Sequence, residues 1–204
     1  MENTVSDAVL ARIPLPGQQA LIEKITDGAM SVFMGAPLLA DPDRVVDAED
    51  WADGAVAITA QPATPCNLTY LLTDANASIT AGICTVVGED PQGRTITEVF
   101  DMSAGLSLTG TKIFAVVTSV TISGTAGTPA AGTDVLDIGV GNVIGLPFDI
   151  DDEDAVVAVY VDNAKTTPDA IATGESTSGI DCNGATYDGT KLMWALVKPA
   201  YVGA

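Results

Sequence analysis

Apolar and polar residues alternate along much of the chain with a period near two, the repeat of strands that bury one face. In "SVTISG" Val120 and Ile122 share a side, and in "NLTYLLT" Leu68 and Tyr70 do. From Ala55 onward, "AVAITAQ", "CNLTYLLT", "ITAGICTVVG", "RTITEVFDM", "LSLTGTKIFAVVTSVTISG" and "TDVLDIGVG" follow one another. They come at intervals of roughly eight to fifteen residues, separated by Gly, Pro, Asn and Asp. No helical crossover is visible between them, so antiparallel rather than parallel sheets are expected. "TVVGEDPQGRTITEVF", residues 85 to 100, reads as one hairpin, with Pro91 and Gly93 at its turn. Its polar residues are expected to stay at that turn and to carry shape rather than chemistry. The fold expected is all-β: an antiparallel β-sandwich, jelly-roll-like, with an extended N-terminal arm containing a short helix.

Residues 1–54 have a different texture. Prolines at 14, 16, 37 and 42 interrupt them. In "QQALIEKITDGAMSVF" Leu21, Ile22, Ile25 and Ala29 fall at near-helical spacing, with Gly28 and Gly35 placed to end a helix early. "DPDRVVDAEDWADG" then sets six acids between residues 41 and 53 around Trp51, the pattern of an extended, solvated segment. The division expected is an N-terminal arm over 1–54 and a β-sandwich domain over 55–204. Within the latter, 124–134 reads as a floppy loop, 163–190 as a loop rich in Thr, Ser and Gly, and "KLMWALVKPAYV" as the strand that closes a sheet. The N-terminal residues carry acids and prolines where a secretion signal needs a basic end and an apolar core, so use without secretion is expected. No run approaches the ~18 apolar residues that would span a bilayer as a helix.

Composition narrows the chemistry. At 204 residues the chain can bury a core without a metal or a disulfide. Its 27 acids against 8 bases give a formal charge of −19, which disfavours nucleic acid and anionic membranes as partners. Histidine is absent, which removes a Ser-His-Asp triad, a Cys-His pair and every His-containing zinc site. Cys66, Cys84 and Cys182 show no CxxC spacing and read as buried thiols, with a Cys66–Cys84 disulfide as the alternative if their strands pair. "DIDDED", residues 149–154, alternates acids as a calcium loop does, but Asp154 stands where the turn needs Gly and Tyr160 where the last ligand would be Glu. "GVGNVIG", residues 139–145, reads as strand and turn, because no helix follows to receive a phosphate. Carboxylate pairs suitable for glycoside hydrolysis arise by chance among so many acids. No catalytic, cofactor-binding or metal residue is expected, and no enzyme activity.

Two Trp, four Tyr and four Phe are few for a sugar-binding cleft. Trp194 fits a buried closing strand. Trp51, set among acids, reads either as packed beneath the arm or as an anchor that a partner covers. Together with Leu21, Ile25 and Phe33 it forms the candidate partner-binding set.

"ITAQPATPCNLTYLLTDANASITAGICTVVGEDPQGRTITEVFDM", continued by "LSLTGTKIFAVVTSVTISGTAG", resembles a recurring β module of structural proteins of tailed bacteriophages. The resemblance covers about residues 57–127 and extends loosely to "GVGNVIGLPF". It implies a virion protein, a capsid decoration (cement) protein on the outer surface of the major capsid lattice, assembled in the bacterial host cytoplasm. The expected partners are the major capsid protein and further copies of the chain, as a homotrimer at threefold points of the lattice. Three copies at −19 each must then meet through uncharged faces, with the acids turned outward. The alternative is a tail- or spike-associated structural or carbohydrate-binding β module, marked by paired aromatics in a groove.

Overall fold

The computed structural model describes residues 29–182 and 187–198. Strands β1 (Met30–Gly35), β2 (Asp41–Asp50), β3 (Gly54–Val56) and β4 (Cys66–Thr73) are followed by β5 (Ile79–Glu89), β6 (Thr95–Asp101) and β7 (Ser107–Phe114). Then come β8 (Val116–Gly127), β9 (Val135–Gly145), β10 (Val156–Val161), β11 (Ala164–Thr166), β12 (Ala170–Ala172), β13 (Gly179–Asp181) and β14 (Met193–Val197). The only helical pieces among the described residues are two short 3-10 turns, Met102–Ala104 and Glu153–Ala155. No helix there is long and apolar enough to cross a membrane.

The strands form three sheets with antiparallel pairing. Sheet I has the order β1-β14-β10-β11, sheet II the order β12-β13-β9-β4-β7, and sheet III the order β3-β8-β5-β6. β9 is the spine of sheet II. One edge pairs with β4, while the other is shared between β2, at Val135–Val140, and β13, at Val143–Gly145. The glycines of "GVGNVIG" make this crowding possible. A Cβ on Gly141 would sit 2.3 Å from the side-chain oxygen of Asn67. Asn67 is buried at an irregularity in β4, where its Nδ2 donates to the Gly110 carbonyl and its Oδ1 accepts from Val143 N–H. Both ladders that the irregularity opens are thereby closed again.

One apolar core spans all three sheets: Val32, Met34 and Val159 from sheet I, Leu68, Leu136 and Ile138 from sheet II, and Cys84, Val86 and Val120 from sheet III. The all-β, antiparallel sandwich expected from alternation is what forms. Val120 and Ile122, and Leu68 and Tyr70, are buried as paired alternates. The hairpin of residues 85–100 is β5 and β6, in unbroken register from Ile83↔Asp101 to Glu89↔Thr95.

The N-terminal part differs from expectation. Residues 30–54 are no separate arm: β1 pairs with β14, β2 with β9, and β3 with β8. The acids of "DPDRVVDAED" led to a solvated reading, yet Val45 and Val46 within it are fully buried while the acids around them stay at the surface or half-buried. The proposed boundary at residue 54 falls at the start of β3. The helix expected over the stretch beginning at Gln18 lies mostly outside the described residues, and its last part, Met30–Phe33, is strand.

Candidate docking surface

Trp51 follows β2 and is 1% exposed. Its indole packs against Gly82 of β5, where an added Cβ would stand 2.5 Å from Cζ2. It meets Tyr70 edge-on at 6.3 Å, and Tyr70 in turn stacks on Phe100 at 5.4 Å. Trp51, which the sequence leaves open as packed beneath the arm or as a partner's anchor, is a core strut between sheets II and III, and its indole is not exposed to a partner. The physical reason is the glycine opposite it, which leaves a slot wide enough for an indole.

Phe33 lies where a partner can reach it. Along β1, Val32 and Met34 point into the core and Phe33 points out, 53% exposed. The register of sheet I sets Phe33 beside Trp194, Trp194 beside Tyr160, and Tyr160 beside Lys165. Directly opposed residues share a face, so these four side chains form one row across β1, β14, β10 and β11. The rings of Phe33 and Trp194 are 4.5 Å apart and tilted by 46°. With strands about 4.8 Å apart the row spans roughly 14 Å. Leu192, two residues before Trp194 and 46% exposed, extends it. On the same face, Leu196, Ala158 and Ala29 form a small buried cluster bordered by Tyr160. Leu21 and Ile25, the other two candidate residues, lie outside the described residues.

Trp194 was expected to be buried; it is half-buried on this outer face instead. Tyr160 and Lys165 were not singled out at all. The signal was present in "VVAVYVD", where Val159 and Val161 alternate with Ala158 and Tyr160. Because both faces carry apolar residues, the polarity contrast that marks inside and outside is missing there.

The hairpin turn is tied to two distant segments of the chain. Asp90, its side chain wholly buried, accepts from the backbone N–H groups of Gln92 and Arg94 and from Ser176 Oγ at 2.8 Å. Arg94 Nε donates to Asp90 at 2.6 Å, and its two terminal nitrogens grip Asp149 at 2.6 and 2.9 Å. Gln92 and Glu175 complete the ring around the guanidinium. Ser176 N–H donates to Asp149, and the Ser176 carbonyl accepts from Ile113 of β7. Asp149, read as one arm of a calcium-like run, is thus the counter-ion of Arg94. The hydrogen bonds from Arg94 hold its carboxyl below the usual carboxylate range. At Asp90 burial works upward, and the bonds from Arg94, Ser176 and Gln92 outweigh it, so its pKa also falls. Among the described residues no group of three His, Cys, Asp or Glu side chains is placed to hold a metal ion.

Other acids are engaged in structure. Asp134, fully buried, accepts from Ala75 and Ala130 N–H, and its carbonyl accepts from Trp51 N–H. Asp50 accepts from Gly132 and Asp53 from Thr125, so the segment 124–134 is tied down at several points. Cys66 and Cys84 are reduced and buried in different sheets, and burial pushes each thiol up to about 12. Cys182 is reduced and buried as well, its thiol raised to about 11 chiefly by burial.

Comparison with family models, with curated proteins and with solved structures gives no match.

Proposed function

We propose that the chain is a non-enzymatic structural protein of a tailed-phage virion, a decoration protein that docks on the outer surface of the capsid lattice. The observation that carries the docking is the row Phe33, Trp194, Tyr160, with Leu192 beside it: a rigid aromatic strip on a sheet face of an otherwise acidic chain. Exposed aromatic clusters of this kind supply the large, low-entropy contact area that dominates protein interfaces. The resemblance to phage structural proteins lies mainly in β4–β8, which build much of sheets II and III, while the aromatic row lies on sheet I. Many weak copies on one lattice would add their affinities through avidity.

Quantitative mass spectrometry of virions from the genome that encodes the chain tests this reading. Hundreds of copies per particle are expected, and absence from the particle would sink it. A Phe33→Asp variant, folded as judged by circular dichroism, should bind undecorated capsids at least ~30-fold more weakly, the scale of a hot-spot loss.

A second reading has one observation in its favour. Rings on three neighbouring strands also form a platform on which sugar rings can stack. A glycan-binding tail or spike module would show quenching of Trp194 fluorescence by a soluble polysaccharide, and a few dozen copies per particle at most. Trp51, being buried, gives an internal reference for that measurement.

A further inference from the structure

We infer a second interaction surface, the outer face of sheet III, and the partner it fits is another copy of this chain. The inference is independent of the virion reading. Across sheet III the outward positions line up as Ala55, Thr121, Thr85 and Val99 in one row, and Ser119, Val87 and Thr97 in the next. Ser123 and Ile83 lead to Asp101 at one end, and Val116 and Thr95 flank Glu89 at the other. The inward alternates Cys84, Val86, Ile96, Phe100, Val120 and Ile122 are core. Nothing among the described residues covers the outer face: Val99 is 55% exposed, Val116 41% and Ile83 37%. The central rows carry no charged side chain, in a chain of formal charge −19.

Charge selects the occupant. A basic partner would be drawn to the acidic surfaces elsewhere on the molecule, whereas two acidic copies can approach closely only through a neutral patch. The chemistry is also self-complementary. Thr and Ser hydroxyls both donate and accept, and Val methyls alternate with them, so the face matches its own image about a twofold axis. Two such sheets pack about 10 Å apart, as in any sandwich. From Ile83 to Glu89 the patch is about 20 Å long, and it is about 14 Å wide where β3 adds the fourth strand. That is roughly 300 Å² in plan, less than the ~800 Å² per partner of a stable dimer. The contact is accordingly weak and concentration-dependent, and it becomes significant where copies are held close together. Since the acidic ends at Glu89 and Asp101 repel across it, added salt strengthens it.

Sedimentation velocity of the full chain over a wide concentration range reads this directly. Association is expected at high concentration, tighter at about 1 M salt than at about 0.01 M, where the Debye length shrinks from about 30 Å to 3 Å. The Thr97→Glu/Thr121→Glu variant should weaken it at least tenfold, while Phe33→Asp leaves it unchanged. A Thr121→Cys variant gives a second readout that does not depend on introducing charge: its thiol should be protected from maleimide at high concentration and reactive on dilution. A wild-type chain that stays monomeric at every concentration would overturn the inference. So would association that weakens with salt, that survives the double variant, or that is lost in Phe33→Asp.

Discussion

Trp51 shows how one residue decides between two accounts of a segment. An indole among six acids looks exposed in sequence, and Gly82, some thirty positions away, is what buries it. A Trp51→Ala change should therefore cost about 3–5 kcal/mol, the range for emptying an aromatic core site. In a chain of this size the loss lowers Tm by roughly 10 °C, measured by calorimetry or thermal denaturation. An unaltered Tm would return the residue to the surface. Thiol reactivity follows the same logic of burial: with Cys66 and Cys84 raised to about 12, a disulfide reagent at neutral pH should find almost no reactive thiol until denaturant is added. The residues that alternate cleanly, such as Val120 and Ile122, were legible because a single polar neighbour on each side marks the face. Trp194 and Tyr160 were less so, because their strands are apolar on both faces and orientation depends on pairing.

At the scale of elements, the β5–β6 hairpin was readable from its residues, including Gly93, whose φ of 76° suits the turn. Its attachment was not, since Asp149 and Ser176 reach Arg94 and Asp90 from distant parts of the chain. The β10–β11 connection was missed although its signal is local. Asp162 and Asn163 both have positive φ, the two-residue hairpin turn that keeps Val161 opposite Ala164. The clamp at the β5–β6 turn makes stability depend on acid. Asp90 and Asp149 have depressed pKa values in the folded state, so their contribution is full above the unfolded carboxylate value near 3.9 and is lost as pH falls through the lower native values. Replacing Arg94 with Met should lower Tm at pH 7 and flatten the fall in Tm below about pH 4. An unchanged acid limb would show that the clamp contributes nothing to it. Removing residues 1–54, which takes away β1, β2 and the first residue of β3, should abolish cooperative unfolding by chemical denaturant rather than yield a trimmed but intact domain.

For the whole molecule, surface charge and interior packing work against each other. Most of the 27 acids surround a core shared by three sheets, and mutual repulsion among them lowers the stability of the compact state. Tm should rise with moderate salt as that repulsion is screened, and a fall would mean that ion pairs such as those of Arg94 dominate instead. The overall class followed from alternation and turn residues. The assignment of strands to three sheets did not, because the partners are far apart in sequence: β1 closes on β14, and β2 on β9.

Both pairings bear on how the protein is made. Met30 emerges from the ribosome long before Val197, its opposite number, and at 5–20 residues per second the wait is about 10–30 s. β2 waits for β9 in the same way, with Val45 and Val46 uncovered. The exposed acids beside those two valines, Asp43 and Asp47, put like charge on the nascent strand, which disfavours its pairing with another copy before β9 has been synthesised.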